Sequence, residues 1–355
     1  MKITELKTEY RDNPIGLDNP HPRFSWILES EDRDVRQQAY RIVVKTDEET
    51  LWDTGRVEKD SSVLIPYEGK PFSPCSAYLV QVQVWDNKGN TDWREAGFET
   101  GLLSGTAFQA DWITHGFPKE ETACPVFFKD FLLPEKKRKE IAAVRIYATA
   151  LGMYEIRLNG VKAGDTFFAP GWTNYRKRLQ YQAYEIKAEL RENNRLEIIV
   201  GNGWYKGILG FTCTPDNYGD RTAALAELHI FYKDGTRDIL GTDESWQVKT
   251  GGIRSSEIYM GETFDSRREY EECLEDEAKN MPARHTVPAD YPKEQILAQE
   301  CEPVRITRRL PAQKLIVTPK GELVIDFGQN ITGLVQARLK GERGKKITIR
   351  HAETL

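Results

Sequence analysis

Two stretches of the sequence combine aromatic rings with amide groups, and this combination suits contact with a sugar. Trp172 lies in the first stretch, and Trp204, Asn217 and Tyr218 lie in the second. The apolar C–H face of a pyranose stacks on an aromatic ring, while its hydroxyl groups need polar partners. We predict that these four residues bind carbohydrate. The alternative, that each ring belongs to a hydrophobic core, stays open from the sequence.

The same stretches contain hard oxygen ligands. Asp216 and Asn217 lie in a loop rich in Asp, Asn and Gly, and Asp165 and Asn174 precede that loop in the chain. Calcium takes its ligands from carboxylates, amides and backbone carbonyls that loops bring together. We therefore predict calcium as a cofactor held by these four residues. An ordinary turn of the same composition is the alternative.

Other kinds of site find less support in the sequence. The glycines of Gly201–Gly207 follow a strand, but the helical pattern of a dinucleotide-binding loop does not follow them. The five histidines are isolated from one another, so no zinc site is predicted. Glu262, Asp265 and Asp326 could serve a glycosidase only if two of them faced each other across ~5–9.5 Å. We predict no catalytic residue in this chain.

Composition limits the partners of this 355-residue chain. It has 50 Lys and Arg residues against 55 Asp and Glu residues, a net charge of −5, so no basic surface for nucleic acid is expected. No run of ~20 apolar residues could cross a membrane, and no signal peptide is recognisable, which predicts a cytoplasmic protein. Five cysteines without a CxxC pair predict free thiols in a reducing compartment.

The elements that would position the candidate residues are strands. Apolar and polar residues alternate in several short runs, which is typical of half-buried antiparallel strands. The runs are Ala39–Lys45, Tyr78–Trp85, Val144–Tyr147, Tyr154–Asn159, Leu196–Val200 and Ala224–Tyr232. Turn-forming residues separate them, and this pattern predicts an all-β chain built from sandwiches.

Changes in composition predict the domain boundaries. We place an immunoglobulin-like sandwich at 1–105, a second domain at 106–268, a connector at 269–303 and an incomplete domain at 304–355. Arg267–Ala278 is rich in helix formers and is predicted as either a helix or a charged loop. Strands are predicted at Glu322–Asp326 and Lys346–Arg350, which are too few for a complete sandwich.

Six motifs, spread over nearly the whole chain, resemble one family. They are Asn13–Asp18 (NPIGLD), Pro22–Trp26 (PRFSW), Ala150–Gly160 (ALGMYEIRLNG), Ala169–Tyr175 (APGWTNY), Leu179–Gln182 (LQYQ) and Asp326–Gly333 (DFGQNITG). Their sequences and their order resemble those of the bacterial α-L-rhamnosidases, a family of glycoside hydrolases.

The resemblance implies tandem β-sandwiches: an immunoglobulin/fibronectin III-like domain, a jelly-roll module similar to carbohydrate-binding domains, and the start of a concanavalin-like sandwich. In some members the jelly roll resembles a calcium-dependent rhamnose-binding domain. An (α/α)₆ barrel follows in the family and carries the acid and base of an inverting mechanism. This chain lacks that barrel, so the resemblance implies a portion that is inactive alone.

The implied function is to bind or position a rhamnose-containing glycan, from which the parent enzyme would hydrolyse terminal α-L-rhamnose. The implied partners are that glycan and the catalytic barrel of the same polypeptide. The alternative is that these domains only support the barrel structurally and bind no sugar.

Overall fold

A computed structural model describes residues 1–186, 190–268, 282–342 and 344–353. Strands dominate it, which confirms the prediction of an all-β chain of sandwiches. All six runs predicted from alternation overlap strands of the structure. The chain forms two compact units, Met1–Pro303 and Val304–Leu355.

The first hundred residues fold into a small sandwich. Its strands are β1 (Lys2–Thr8), β2 (Arg23–Glu29), β3 (Gln37–Lys45), β4 (Thr50–Asp53), β5 (Ile65–Pro66), β6 (Ala77–Asp86) and β7 (Thr91–Glu99). A three-stranded sheet has the order β1-β2-β5, and a four-stranded sheet has the order β4-β3-β6-β7. Every second residue of β6 is buried, as its alternation predicts. Trp26, Val82 and Phe98 are among the residues that fill the core.

A jelly roll follows. Its strands are β8 (Ile113–Thr114), β9 (Pro125–Leu132), β10 (Ile141–Leu151), β11 (Met153–Leu158), β12 (Val161–Lys162), β13 (Thr166–Phe167), β14 (Leu179–Glu185), β15 (Asn193–Gly201), β16 (Ala223–Tyr232), β17 (Arg237–Gly241), β18 (Gln247–Thr250), β19 (Ile253–Glu257), β20 (Gly261–Phe264), β21 (Arg284–His285), β22 (Val287–Pro288) and β23 (Ile296–Ala298). The α-helices are α1 (Glu135–Lys139) and α2 (Gly203–Lys206), and short 3₁₀ helices span Gly105–Ala107, Ser266–Arg268 and Lys293–Gln295.

Two sheets face each other in the jelly roll. One has the order β22-β8-β16-β10-β14-β23, with β17 also paired to β16, and the other has the order β12-β11-β15-β9-β18-β21. Phe127, Leu158, Leu196 and Trp246 are buried between them. Five strand termini lie at the same end of the sandwich: the last residues of β10 and β15, and the first residues of β11, β14 and β16. The loops that join these strands are therefore neighbours.

The sheet that contains β10 and β16 is buried on both faces. Nearly every residue of β16 is buried, although its alternation predicts one exposed face. The outer face is covered because Leu102 and Phe108, from the segment before the jelly roll, pack in one cluster with Tyr147 and Leu225, and Ile296 of the edge strand β23 extends that cluster. Both faces of β16 are therefore buried, one against the opposite sheet and the other against the segment that precedes the jelly roll.

The unit 304–355 contains β24 (Val304–Arg305), β25 (Lys314–Val317) and β26 (Leu323–Asp326). β25 and β26 form a hairpin, so the strand predicted at Glu322–Asp326 is present. The strand predicted at Lys346–Arg350 is wrong, because this segment has irregular backbone. A strand needs a hydrogen-bonded neighbour, and the described part of this unit offers none to that segment.

Cys75, Cys124, Cys213 and Cys301 are free thiols. Cys273 and most of Arg267–Ala278, the predicted helix or charged loop, lie outside the described residues. Among the helices that the structure does describe, none is long and apolar enough to span a bilayer.

Candidate functional site

All residues predicted to bind sugar or calcium, except Asp165, lie in two loops at one end of the jelly roll. The first loop precedes β14 and contains Trp172, and the second follows β15 and contains Trp204 in helix α2. Gly203, which begins α2, has φ +53°, and a Cβ atom there would lie 2.8 Å from the Cβ of Met153. Glycine therefore lets the second loop turn tightly over the start of β11.

Three aromatic rings form a surface that we call the aromatic shelf: Phe168, Trp172 and Trp204. The indoles of Trp172 and Trp204 are parallel to within 5°, with centroids 6.1 Å apart. Phe168 packs against Trp204 at 6.2 Å. Trp172 is 56% exposed and Phe168 is 38% exposed. The shelf therefore offers aromatic surface to solvent, where a sugar ring could stack.

The first loop contains a backbone conformation that is energetically unfavourable. Phe168 has φ +58°, in the left-handed region that bulky residues rarely adopt, and Gly171 has φ +90°. Such a conformation costs roughly 1–3 kcal/mol and persists only where the surroundings enforce it. Here it holds a phenyl ring against an indole at the surface of the protein.

Tyr218 and Asn217 lie in a different cluster from the two tryptophans. Tyr218 packs on the buried ring of Tyr175 at 5.0 Å and is parallel to Tyr205 at 6.4 Å. The guanidinium of Arg176 lies 5.6 Å from the centroid of Tyr218 and donates a hydrogen bond of 2.9 Å to the carbonyl of Asn217. Burial raises the pKa of Tyr175 and of Tyr205. This cluster joins the two loops, and Trp204 of the shelf packs against the hydrophobic core to which Tyr175 belongs.

Three of the four residues predicted to bind calcium lie in these loops: Asn174 in the first, and Asp216 and Asn217 in the second. Asp165 lies before the first loop, between β12 and β13. Asp216 has φ +58°, and its backbone N–H donates to the carbonyl of Lys206 at 2.8 Å. The amide nitrogen of Asn217 donates to the carbonyl of Thr214 at 2.7 Å. Asn174 accepts a hydrogen bond at its side-chain oxygen from the backbone N–H of Arg176, and Asp165 is exposed.

The donor set at Asp216 suits calcium only partly. Within the described ranges, no three His, Cys, Asp or Glu side chains converge closely enough to hold a metal ion. The guanidinium of Arg176 also donates a hydrogen bond to the carbonyl of Asn217, and its positive charge would repel a calcium ion there. Calcium binding at this loop stays a prediction, and its test is given below.

Glu257 positions the shelf and was not predicted from the sequence. Its carboxylate accepts hydrogen bonds from the side chain of Asn202 and from the backbone N–H of Ile208, at either end of α2. It lies at the end of β19, 55 residues from Asn202. No local pattern could reveal that pair, whereas Phe168 could have been suspected because Phe167 and Phe168 directly precede Ala169–Tyr175.

The acidic candidates for glycosidic chemistry have different surroundings. The guanidinium of Arg267 forms two hydrogen bonds of 2.8 Å with Asp265 and holds its pKa at about 2. Burial, and then the nearby carboxylate of Glu155, raise the pKa of Glu262. Asp326 belongs to the second compact unit.

Fold and surface together define the class of this protein. It is a tandem β-sandwich protein, in which an immunoglobulin-like domain precedes a jelly roll that exposes aromatic rings at its loop end. Jelly rolls of this kind are common among lectin-like domains.

Comparison with known families identifies the chain more closely. Three family models match it in succession: the Rha78A-like N-terminal immunoglobulin domain at residues 3–104, the alpha-L-rhamnosidase N-terminal domain at 139–308, and the bacterial alpha-L-rhamnosidase concanavalin-like domain at 316–355. The chain therefore belongs to the bacterial α-L-rhamnosidases and corresponds to an amino-terminal portion of them.

Individual relatives of the chain support the same family assignment. An alpha-L-rhamnosidase of Streptomyces avermitilis is 28% identical, and the match covers 100% of this chain and 51% of the relative. One from Formosa agariphila is 31% identical over 97% of this chain and 40% of the relative. The chain thus spans about half, or less, of the length of these curated relatives.

Solved structures show the same architecture. The crystal structure of the Streptomyces avermitilis alpha-L-rhamnosidase complexed with L-rhamnose has a TM-score of 0.82 and 26% identity, covering 93% of this chain and 49% of that one. The native enzyme from Aspergillus terreus has a TM-score of 0.83 and 30% identity, covering 93% and 39%.

Proposed function

We propose that this chain supplies the amino-terminal accessory domains of an enzyme that hydrolyses terminal α-L-rhamnose from glycosides, and that the aromatic shelf binds or positions the rhamnoside. The family of the chain supports the reaction and the class of substrate. The matched regions are described as immunoglobulin, N-terminal and concanavalin-like domains. We therefore assign no catalytic residue to this chain and infer that it is inactive alone.

One observation carries the sugar-binding role: the parallel pair of Trp172 and Trp204 at the protein surface. A tryptophan that served only the core would be buried, yet more than half of Trp172 is exposed to solvent. Large exposed apolar patches usually mark binding sites. Rhamnose adds a methyl group to its apolar C–H face, and both would gain from stacking on an indole.

Removing either indole should weaken sugar binding. We expect Trp172→Ala and Trp204→Ala to reduce the affinity for a rhamnose-terminated glycoside about tenfold, equivalent to ~1.4 kcal/mol of lost stacking. Isothermal titration calorimetry of the whole chain would measure this change. Trp93→Ala is the matched control, because Trp93 is 59% exposed on β7 and lies outside the shelf.

The same titration decides between the two functions. Equal affinities in the Trp93, Trp172 and Trp204 variants would place any sugar site elsewhere. No binding by the unmodified chain would favour the alternative, in which these sandwiches only support the catalytic barrel of the same polypeptide.

Calcium provides a separate test of the second loop. If Asp216 is a ligand, Asp216→Ala should reduce calcium affinity at least tenfold, because the substitution removes both a charge and a ligand. Arg176→Ala should increase calcium affinity, since it removes the competing cation beside Asn217. Calorimetry with calcium alone measures both changes. Unchanged affinity in both variants would contradict a site at this loop.

A further inference from the structure

The carboxylate of Asp18, between β1 and β2, lies where three other segments of the chain meet. One of its oxygens accepts hydrogen bonds from the hydroxyl of Tyr181 at 2.6 Å and from the backbone N–H of Leu103 at 2.8 Å. The other accepts from the backbone N–H of Ala298 at 3.0 Å. One side chain of the first sandwich therefore contacts β14, β23 and the linker, which we define as residues 101–112 between β7 and β8.

β23 has only a few hydrogen bonds of its own. It is three residues long, pairs in parallel with the start of β14, and forms the edge of its sheet. The backbone N–H of Gln299 donates to the carbonyl of Tyr181 at 2.9 Å, so the N–H of Ala298, one residue earlier, points away from β14. Asp18 satisfies that donor in place of a further strand.

The backbone packs closely near Asp18. A Cβ atom on Gly101 would lie 2.0 Å from the hydroxyl oxygen of Tyr181 and 2.7 Å from the carboxylate of Asp18. The same hydroxyl accepts a hydrogen bond of 2.9 Å from the backbone N–H of Leu102. Gly16, with φ +75°, lies against Ala183 so closely that a Cβ would be 2.5 Å from the Cβ of that residue. Such contacts require the first sandwich to be held in one position.

A second attachment lies next to this one. Arg145, which is buried in β10, donates two hydrogen bonds of 2.8 and 2.6 Å to the carboxylate of Glu99 at the end of β7. Paired bonds between guanidinium and carboxylate fix direction as well as distance. The first sandwich is therefore fixed to the jelly roll on both sides of the linker that begins at Gly101.

We propose that Asp18 and Tyr181 form a conformational latch, through which docking of the first sandwich keeps β23 paired with β14. Because β23 leads the chain out of the jelly roll, the first sandwich fixes the position of that exit. The coupling is reciprocal: release of the first sandwich frees β23, and loss of β23 loosens the first sandwich.

Hydrogen exchange at individual backbone amides tests the latch in the whole chain. Asp18→Ala should accelerate exchange at least tenfold at Ala298 and Leu103, which lose their acceptor, and also at Gln299, whose N–H bonds the end of β23 to β14, while amides in the centres of β6 and β16 keep their protection. Tyr181→Phe, which retains the carboxylate, should accelerate exchange at Leu102, which loses its acceptor, and at Gln299 to a smaller extent. Asp12→Ala is the control, because Asp12 lies in the same segment and is exposed.

Unchanged exchange at Gln299 in folded Asp18→Ala would overturn the proposal, and so would an equal acceleration at every amide, which would indicate general destabilisation. If Asp18→Ala fails to fold, Tyr181→Phe gives the same decision: acceleration at Gln299 supports the latch, and unchanged exchange there overturns it.

Discussion

Replacing Glu227 with alanine should lower the free energy of unfolding by about 3–5 kcal/mol, the usual cost of removing one member of a buried polar pair. Glu227 is 1% exposed. Its carboxylate accepts hydrogen bonds from the backbone N–H groups of Gln109 and Ala110 in the linker and from Nε2 of His229 at 2.7 Å. Alanine would leave all three donors without this acceptor, and the bonds from Ala110 and His229 are fully buried.

Urea unfolding followed by circular dichroism measures this loss. Glu227→Gln keeps an oxygen for the linker but presents an N–H₂ group toward Nε2 of His229, so we expect a smaller loss of about 1–3 kcal/mol. Glu244→Ala, at an exposed glutamate, should change stability by less than about 0.5 kcal/mol. Equal stability of Glu227→Ala and Glu244→Ala would show that the linker does not depend on this carboxylate.

Gly152→Ala should destabilise the jelly roll by about 3 kcal/mol or more. Gly152 lies where the chain passes from β10 in one sheet to β11 in the other, with φ +142°. A Cβ atom there would lie 2.5 Å from the carbonyl oxygen of Gly201 and 2.7 Å from a methyl group of Val200. Backbone strain and overpacking each contribute roughly 1–3 kcal/mol, and here both act at one atom.

Gly160→Ala is a suitable comparison, because Gly160 also has a positive φ, +80°, but a Cβ atom there would meet nothing within 4 Å. Only the left-handed conformation is then penalised, by roughly 1–2 kcal/mol. Thermal and urea unfolding of both variants would separate steric crowding from backbone strain. A Gly152 variant as stable as the Gly160 variant would mean that the crossing can widen.

Local patterns predicted the fold well where each strand has one covered face. β6 alternates in sequence and in burial, and Asp86–Gly89 and Asn159–Gly160 contain the residues expected of turns. β16 differs because its second face is covered by a segment distant in the chain, around Leu102 and Phe108. The periodicity of a single sequence cannot show that a distant segment of the chain covers the second face of a strand.

The site was predicted only in part, because contacts between residues distant in the chain decide which rings lie together. The sequence singled out Trp172 and Trp204 by residue type, and the structure brings their rings together although 32 positions separate them. It groups Tyr218 with Tyr175 instead, a distinction that depends on loop geometry. Glu257, which holds both ends of α2, contributes through contacts that no local spacing encodes.

The covered outer face of the β10–β16 sheet bears on how such proteins can be assembled in evolution. Tyr147, Leu225 and Arg145 would be laid bare if the first sandwich and its linker were exchanged for an unrelated one. A tandem arrangement joined by a flexible linker permits free shuffling of its modules, but here each module completes the surface of the other. We therefore expect that the two sandwiches can be exchanged only together, because replacing one alone would expose the apolar surface of the other.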